Sequence, residues 1–93
     1  MIRSFKDKKT EAVASGKILK GFPSDLIRPA QRKLVMLRDA VELTDLNTPP
    51  GNKLEALKGD RKGQHSIRIN DQFRICFRWA DGHAEEVEIT DYH

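Results

Sequence analysis

The stretch Gln64–Thr90, QHSIRINDQFRICFRWADGHAEEVEIT, decides the fold. It reads as three strands joined by two tight turns. Residues 64–70 alternate, with Ile67 and Ile69 in phase. Residues 73–79 alternate more cleanly: Phe73, Ile75, Phe77 and Trp79 share one face, and Arg74, Cys76 and Arg78 the other. Successive side chains of a strand point to opposite faces, so this pattern predicts one apolar and one cationic surface. Asn70-Asp71 and Asp81-Gly82 are the turn signals. Val87 and Ile89 keep residues 83–90 in phase with the core.

Upstream, Ile27, Ala30, Leu34, Leu37 and Val41 recur every three or four residues, which predicts an amphipathic helix. Pro29 is expected in its first turn, where a missing N–H costs little. The helix is expected to end near Leu43–Leu46, before Asn47-Thr48-Pro49-Pro50-Gly51. Residues 7–15 are helix-compatible, with Ala12 and Val13 as packing contacts and Gly16 as a stop. Residues 2–6 alternate and read as a first strand. Residues 52–63 read as a short helical turn and a loop, anchored by Leu54 and Leu57 at i, i+3 spacing. The order is strand, helix, helix, then a three-stranded meander. That is an α+β fold, with two helices on one face of a mainly antiparallel sheet.

The 93 residues suit one domain spanning 1–93. The single cysteine, Cys76, excludes an internal disulfide and a cysteine zinc cluster. The chain is charged from Arg3 onward and has no apolar run of about 20 residues, so neither a signal peptide nor a membrane span is expected. Lys and Arg number 17 against 14 Asp and Glu. Residues 52–79 carry seven bases (Lys53, Lys58, Arg61, Lys62, Arg68, Arg74, Arg78) and three acids, whereas residues 80–93 carry five acids and no Lys or Arg. A basic middle before an acidic end fits a polyanion site edged by carboxylates. From charge alone, the simpler reading is an ordinary surface of charges paired across strands.

The second sheet face is the more informative one. Arg68, Arg74 and Arg78 alternate on neighbouring strands, with Glu86 and Glu88 beside them. Guanidinium donors match phosphate oxygens. Phe73, Phe77 and Trp79 read as core, which leaves Tyr92 for a nucleobase. The strand phase carries Tyr92 to the arginine face, and His93 follows without a spacer. Histidine titrates near neutrality and suits acid–base work. His65 reads as a surface or edge residue. Cys76 reads as structural, because no base stands near it in the pattern.

Three segments resemble the HigB toxins of the RelE/ParE superfamily. Asn52-Lys53-Leu54-Glu55-Ala56-Leu57-Lys58-Gly59-Asp60-Arg61 is similar to the loop before their sheet. Gln64-His65-Ser66-Ile67-Arg68-Ile69 and Gln72-Phe73-Arg74-Ile75-Cys76-Phe77 resemble the two strands that follow. Ile89-Thr90-Asp91-Tyr92-His93 resembles their C-terminus, and Met1-Ile2-Arg3-Ser4-Phe5 their opening. The likeness covers essentially the whole chain.

The resemblance implies the toxin of a type II toxin–antitoxin system. Its activity would be ribosome-dependent, metal-independent cleavage of mRNA in the 30S A site, with no cofactor. Its partner would be a HigA-like helix-turn-helix antitoxin, and operator DNA would be reached only through that antitoxin. The location would be the cytoplasm. Asp91, Tyr92 and His93 map to the family's catalytic triplet, with Arg74 beside them and Lys58 on RNA phosphate. Arg61, Arg68 and Arg78 are further expected RNA contacts. Glu55 departs from the pattern, since some HigB proteins have histidine there. It either supplies a base or leaves that role empty. Rival readings are a ParE-like gyrase inhibitor on the same fold and a non-catalytic RNA- or ribosome-binding module.

Overall fold

The computed structural model describes residues 1–91. Helix α1 spans Lys8–Ala14 and α2 spans Ser24–Asp39. Short 3₁₀ turns at Leu43–Asn47 and Pro50–Asn52 lead to β1 (Glu55–Ala56). A third turn, Gly59–Arg61, precedes β2 (His65–Arg68), β3 (Phe73–Ala80) and β4 (His83–Asp91). Among the described residues, the four strands form one antiparallel sheet in the order β1-β2-β3-β4.

The expected first strand is reduced to two parallel bridges along β4, Ile2 with Ala84 and Phe5 with Val87. Between them Ser4 Oγ accepts from the Glu86 amide at 2.9 Å, so the segment still closes the β4 edge. Helix α1 starts where Asp7 Oδ1 accepts from the Thr10 amide at 2.7 Å, satisfying one of the end donors. Thr10 is buried, and its hydroxyl accepts from the Ile89 amide at 3.0 Å, tying α1 to β4. Gly16, at φ +87°, follows the end of the helix.

Helix α2 differs from its expected bounds at both ends. It begins at Ser24, so Pro29 lies in the second turn and costs one internal hydrogen bond. Leu26 and Ile27 are both buried, and their packing holds the early start. The helix stops at Asp39, because Ala40 turns extended. Asp45 Oδ2 then accepts from the Val41 and Glu42 amides, both at 3.0 Å. Val41 therefore leaves the apolar stripe and is 75% exposed. Ile27, Ala30, Leu34 and Leu37 stay buried.

The core lies between α2 and one sheet face, where Leu26, Leu34 and Leu37 meet Ile67, Ile75, Phe77 and Val87. Each such side chain contributes about 1.5–3 kcal/mol on burial. Phe73 and Trp79 pack against this cluster half-buried, and Trp79 meets Phe77 edge-on at 6.5 Å. Leu57 is buried as expected, and Leu54 packs against the core. The segment around them is no helix, however. Glu55 and Ala56 pair with Ser66 and His65 instead. The sheet thus gains a fourth strand beyond the expected meander. Its extra edge covers His65, which is half-buried and stacks on Phe77 rather than ending the sheet.

One bulge shapes the far side. The β3–β4 register steps from Cys76 opposite Glu88 to Arg78 opposite Glu85, which leaves Glu86 and Val87 against Phe77. Glu86 takes φ +52° to make that step. Ala84 and Val87 therefore both reach the core, which strict alternation forbids.

Candidate active site

Residues directly opposite in an antiparallel pair share a face. The register therefore builds rows on the outer face. One row runs Arg68, Arg74, Thr90. The next runs Glu55, Ser66, Cys76, Glu88. Glu55 thus joins the arginine face through β1, exposed at the sheet edge.

Arg74 is held by neutral oxygens. Its Nε donates to Ser66 Oγ at 2.7 Å, and its Nη2 donates to the Lys53 carbonyl at 2.7 Å. Lys53 adopts a left-handed conformation at φ 45°, ψ 55° after the Pro50–Asn52 turn. That loop is pinned by Asn52, which is fully buried. Asn52 Nδ2 donates to the Leu46 carbonyl at 3.2 Å and the Thr48 carbonyl at 3.4 Å, and its Oδ1 accepts from Lys33 Nζ. Burial pushes the Lys33 ammonium below its ordinary pKa, with Arg32 adding to the effect.

The other expected RNA contacts are differently placed. Arg68 pairs with Asp71 and also donates to the Asn70 carbonyl at 3.1 Å. Arg78 Nε pairs with Glu86 at 2.6 Å. Arg61 Nη1 pairs with Glu88 at 2.8 Å and donates to Gln64 Oε1 at 3.0 Å. These pairs partly neutralise the face that alternation alone painted as cationic. Lys58 is exposed, immediately before the Gly59–Arg61 turn. A shallow polar depression lies among Lys53, Arg68, Asn70, Asp71 and Arg74. A larger, mostly apolar groove on the helical side, around Ile2, Phe5 and Val35, offers no carboxylate or imidazole.

Asp91 stands opposite Phe73, one register position beyond the Arg74–Thr90 pair. Its Oδ2 accepts from Gln72 Nε2 at 2.9 Å. Tyr92 and His93, the other two members of the expected triplet, lie outside the described residues. Cys76 is buried within the second row, between Ser66 and Glu88, and that burial pushes its thiol pKa up. Its structural reading therefore has a physical basis.

Sequence reading missed Ser66, Asn52 and the backbone of Lys53. Ser66 was recoverable, because it lies in phase with Arg68 and diagonal to Arg74 across the turn. Nothing local marks Asn52 or the left-handed turn at Lys53.

A small α+β domain with two helices on one sheet face and an arginine held on the other has the architecture of the RelE-like toxins. YoeB, in its complex with YefM from Staphylococcus aureus, is similar in fold. The TM-score is 0.62 at 17% identity, over 100% of this chain and 98% of that one. A YafQ mutant from E. coli gives a TM-score of 0.64 at 12% identity, over 98% and 93%. A family model described as "RelE-like toxin of type II toxin-antitoxin system HigB" matches residues 3–93, and this chain belongs to that family. Toxin HigB-1 of Vibrio cholerae is 42% identical over 85 residues, 90% of each chain. Endoribonuclease HigB of Proteus vulgaris is 33% identical over 93 residues, all of each chain.

Proposed function

We propose that this toxin is an endoribonuclease that cuts mRNA in the 30S A site of the ribosome, with its own side chains as the acid–base groups. The observation that carries the reading is Arg74, a guanidinium anchored on the outer face beside Lys53 and Arg68. A cation held in place before substrate arrives stabilises developing charge without reorganising. Membership of a toxin family and likeness to a relative named as an endoribonuclease support the same reading.

The reaction needs a base for the 2′-hydroxyl proton. The 2′-oxygen then attacks phosphorus, and an acid protonates the departing 5′-oxygen. His93 transfers the proton, and Asp91 orients or charges it. Tyr92 stacks on a base or assists the transfer. In a second division of labour, Glu55 is the base and His93 the acid. Arg74 stabilises the phosphorane. Lys58 and Arg68 hold the backbone, with Arg61 and Arg78 at its margins. The ion pairs on Arg61, Arg68 and Arg78 must open or be shared for those three to contact phosphate. Lys58 is exposed, and among the described residues it has no ion pair.

The partners in this reading are a HigA-like helix-turn-helix antitoxin and the ribosome, with operator DNA reached only through the antitoxin. The compartment is the cytoplasm, and the chemistry requires no metal or cofactor. Among the described residues, no helix is long and apolar enough to cross a membrane.

The test is cleavage of mRNA on programmed ribosomes, mapped by primer extension. Arg74→Ala should lower the rate roughly 10²- to 10³-fold. His93→Gln should abolish cleavage with the melting temperature unchanged. Products should end in a 2′,3′-cyclic phosphate. A 5′-phosphate product, or inhibited gyrase supercoiling with intact mRNA, overturns the reading.

A further inference from the structure

Arginine on a strand has a long, flexible side chain. A catalytic cation in that position needs its pose defined by something other than its own rotamers. Among the described residues, two close acceptors hold it. Ser66 Oγ takes Nε, and the Lys53 carbonyl takes Nη2. A longer contact of 3.5 Å joins Nη2 to the Ser66 carbonyl. Together these bonds engage the Nε–Nη2 edge of the guanidinium and turn its Nη1 corner away from the cradle.

Both acceptors are themselves fixed. Ser66 is fully buried on β2, diagonal to Arg74 on β3, between Glu55 and Cys76 in its row. Water cannot readily replace its hydroxyl. The Lys53 carbonyl is aimed by the left-handed turn, whose amide donates to the Pro50 carbonyl at 3.1 Å. Asn52 locks that turn from inside.

We propose that Ser66 is a positioning residue for RNA cleavage, acting with the Lys53 carbonyl to hold Arg74 in the pose that meets the scissile phosphate. The proposal rests on the reading of Arg74 given above. The alternative is that Ser66 is a buried hydroxyl satisfied by the nearest donor, with no bearing on the rate.

A double-mutant cycle on programmed ribosomes separates these cases. Single-turnover rates and half-saturating toxin concentrations are measured for the wild type, Ser66→Ala, Arg74→Ala and the double variant. Ser66→Ala should slow cleavage roughly 10- to 100-fold with half-saturation little changed. The double variant should be no slower than Arg74→Ala. A Ser66→Ala protein that cleaves at the wild-type rate overturns the proposal, and so does a loss that adds in full to that of Arg74→Ala.

Arg74→Lys covers the case in which Ser66→Ala does not fold. It keeps the charge and loses the edge that the cradle grips. It should be nearly as slow as Arg74→Ala, and wild-type cleavage by it overturns the proposal. Proton exchange at Arg74 Nε–H, followed by NMR, gives a readout independent of activity. It should be slow in the wild type and fast in Ser66→Ala, and equal rates remove the cradle. If Arg74→Ala cleaves normally while exchange at Nε–H is slow, the cradle exists, but both the catalytic reading of Arg74 and the positioning role of Ser66 fall.

Discussion

Arg61 Nη1 and Glu88 Oε1 stand 2.8 Å apart, 27 residues from each other in the chain. The pair ties the Gly59–Arg61 turn to β4, on the row that also holds Glu55 and Ser66. Lys6 approaches the same carboxylate at 3.7 Å. Glu88 is mostly shielded and Arg61 less so, which places the pair between a surface and a buried bridge. Glu88→Gln should lower stability by about 1–2 kcal/mol in urea denaturation. An unchanged midpoint would show that the Arg61–Glu88 pair contributes nothing to holding the turn.

Gly63 has φ +93°, and a Cβ built there would lie 2.8 Å from Arg78 Nη1. Gly63→Ala therefore combines backbone strain with a clash against a movable side chain. Its expected cost is about 1–2 kcal/mol. Adding Arg78→Ala should recover the clash and leave the strain. Full recovery in the double variant would mean that the left-handed conformation carries no cost.

Asn52→Ala should be the most damaging of the substitutions considered. It strands the Leu46 and Thr48 carbonyls and removes the acceptor for the half-buried Lys33 ammonium. Leaving such groups unpaired costs about 2–3 kcal/mol, a fall of roughly 10–20 °C in melting temperature at this chain length. The cradle at Lys53 should loosen with it, so exchange at Arg74 Nε–H should quicken. A melt within about 2 °C of the wild type would contradict the clamp.

Asp45 predicts a pH effect. Amide donors from Glu42, then Val41, hold its carboxyl below the usual range, against a smaller opposing desolvation. A group whose folded pKa is depressed contributes stability above its unfolded value, near pH 4, and loses it as pH falls through the folded one. The stability gap between wild type and Asp45→Asn should thus be constant near neutrality and close on acidification. A gap that widens toward acid would reverse the assignment.

Cys76 should be inert in the native protein. Burial raises its thiol pKa, so little thiolate forms at neutral pH and reagents have poor access. Alkylation should track global unfolding in urea, and Cys76→Ala should cleave RNA normally. Fast labelling of the folded chain would refute this.

Much of the architecture was legible along the chain, and the exceptions have specific causes. The alternation from Phe73 to Trp79 gave the two sheet faces correctly, and the leucine stripe gave α2. The ends of α2 were misjudged because Leu26 and Ile27 extend its packing backward. Asp45 captures amides that a longer helix would have used. Glu55 was read as part of a helical turn because β1 has only two residues, too few to show a period. Pairing of these arginines with carboxylates was expected, but which carboxylate takes Arg61 or Arg78 was not legible, because Glu88 and Glu86 come from other segments.

The sequence by itself determined which side chains alternate, which recur every turn, and where turns must fall, because those are properties of neighbouring residues. Only the tertiary structure decided that Glu86 would bulge, that Asp71, Glu86 and Glu88 would take three of the arginines, and that Ser66 and Lys53 would grip Arg74. Each of these contacts depends on a register or loop path. Pairing between segments sets that geometry, and no local period encodes it.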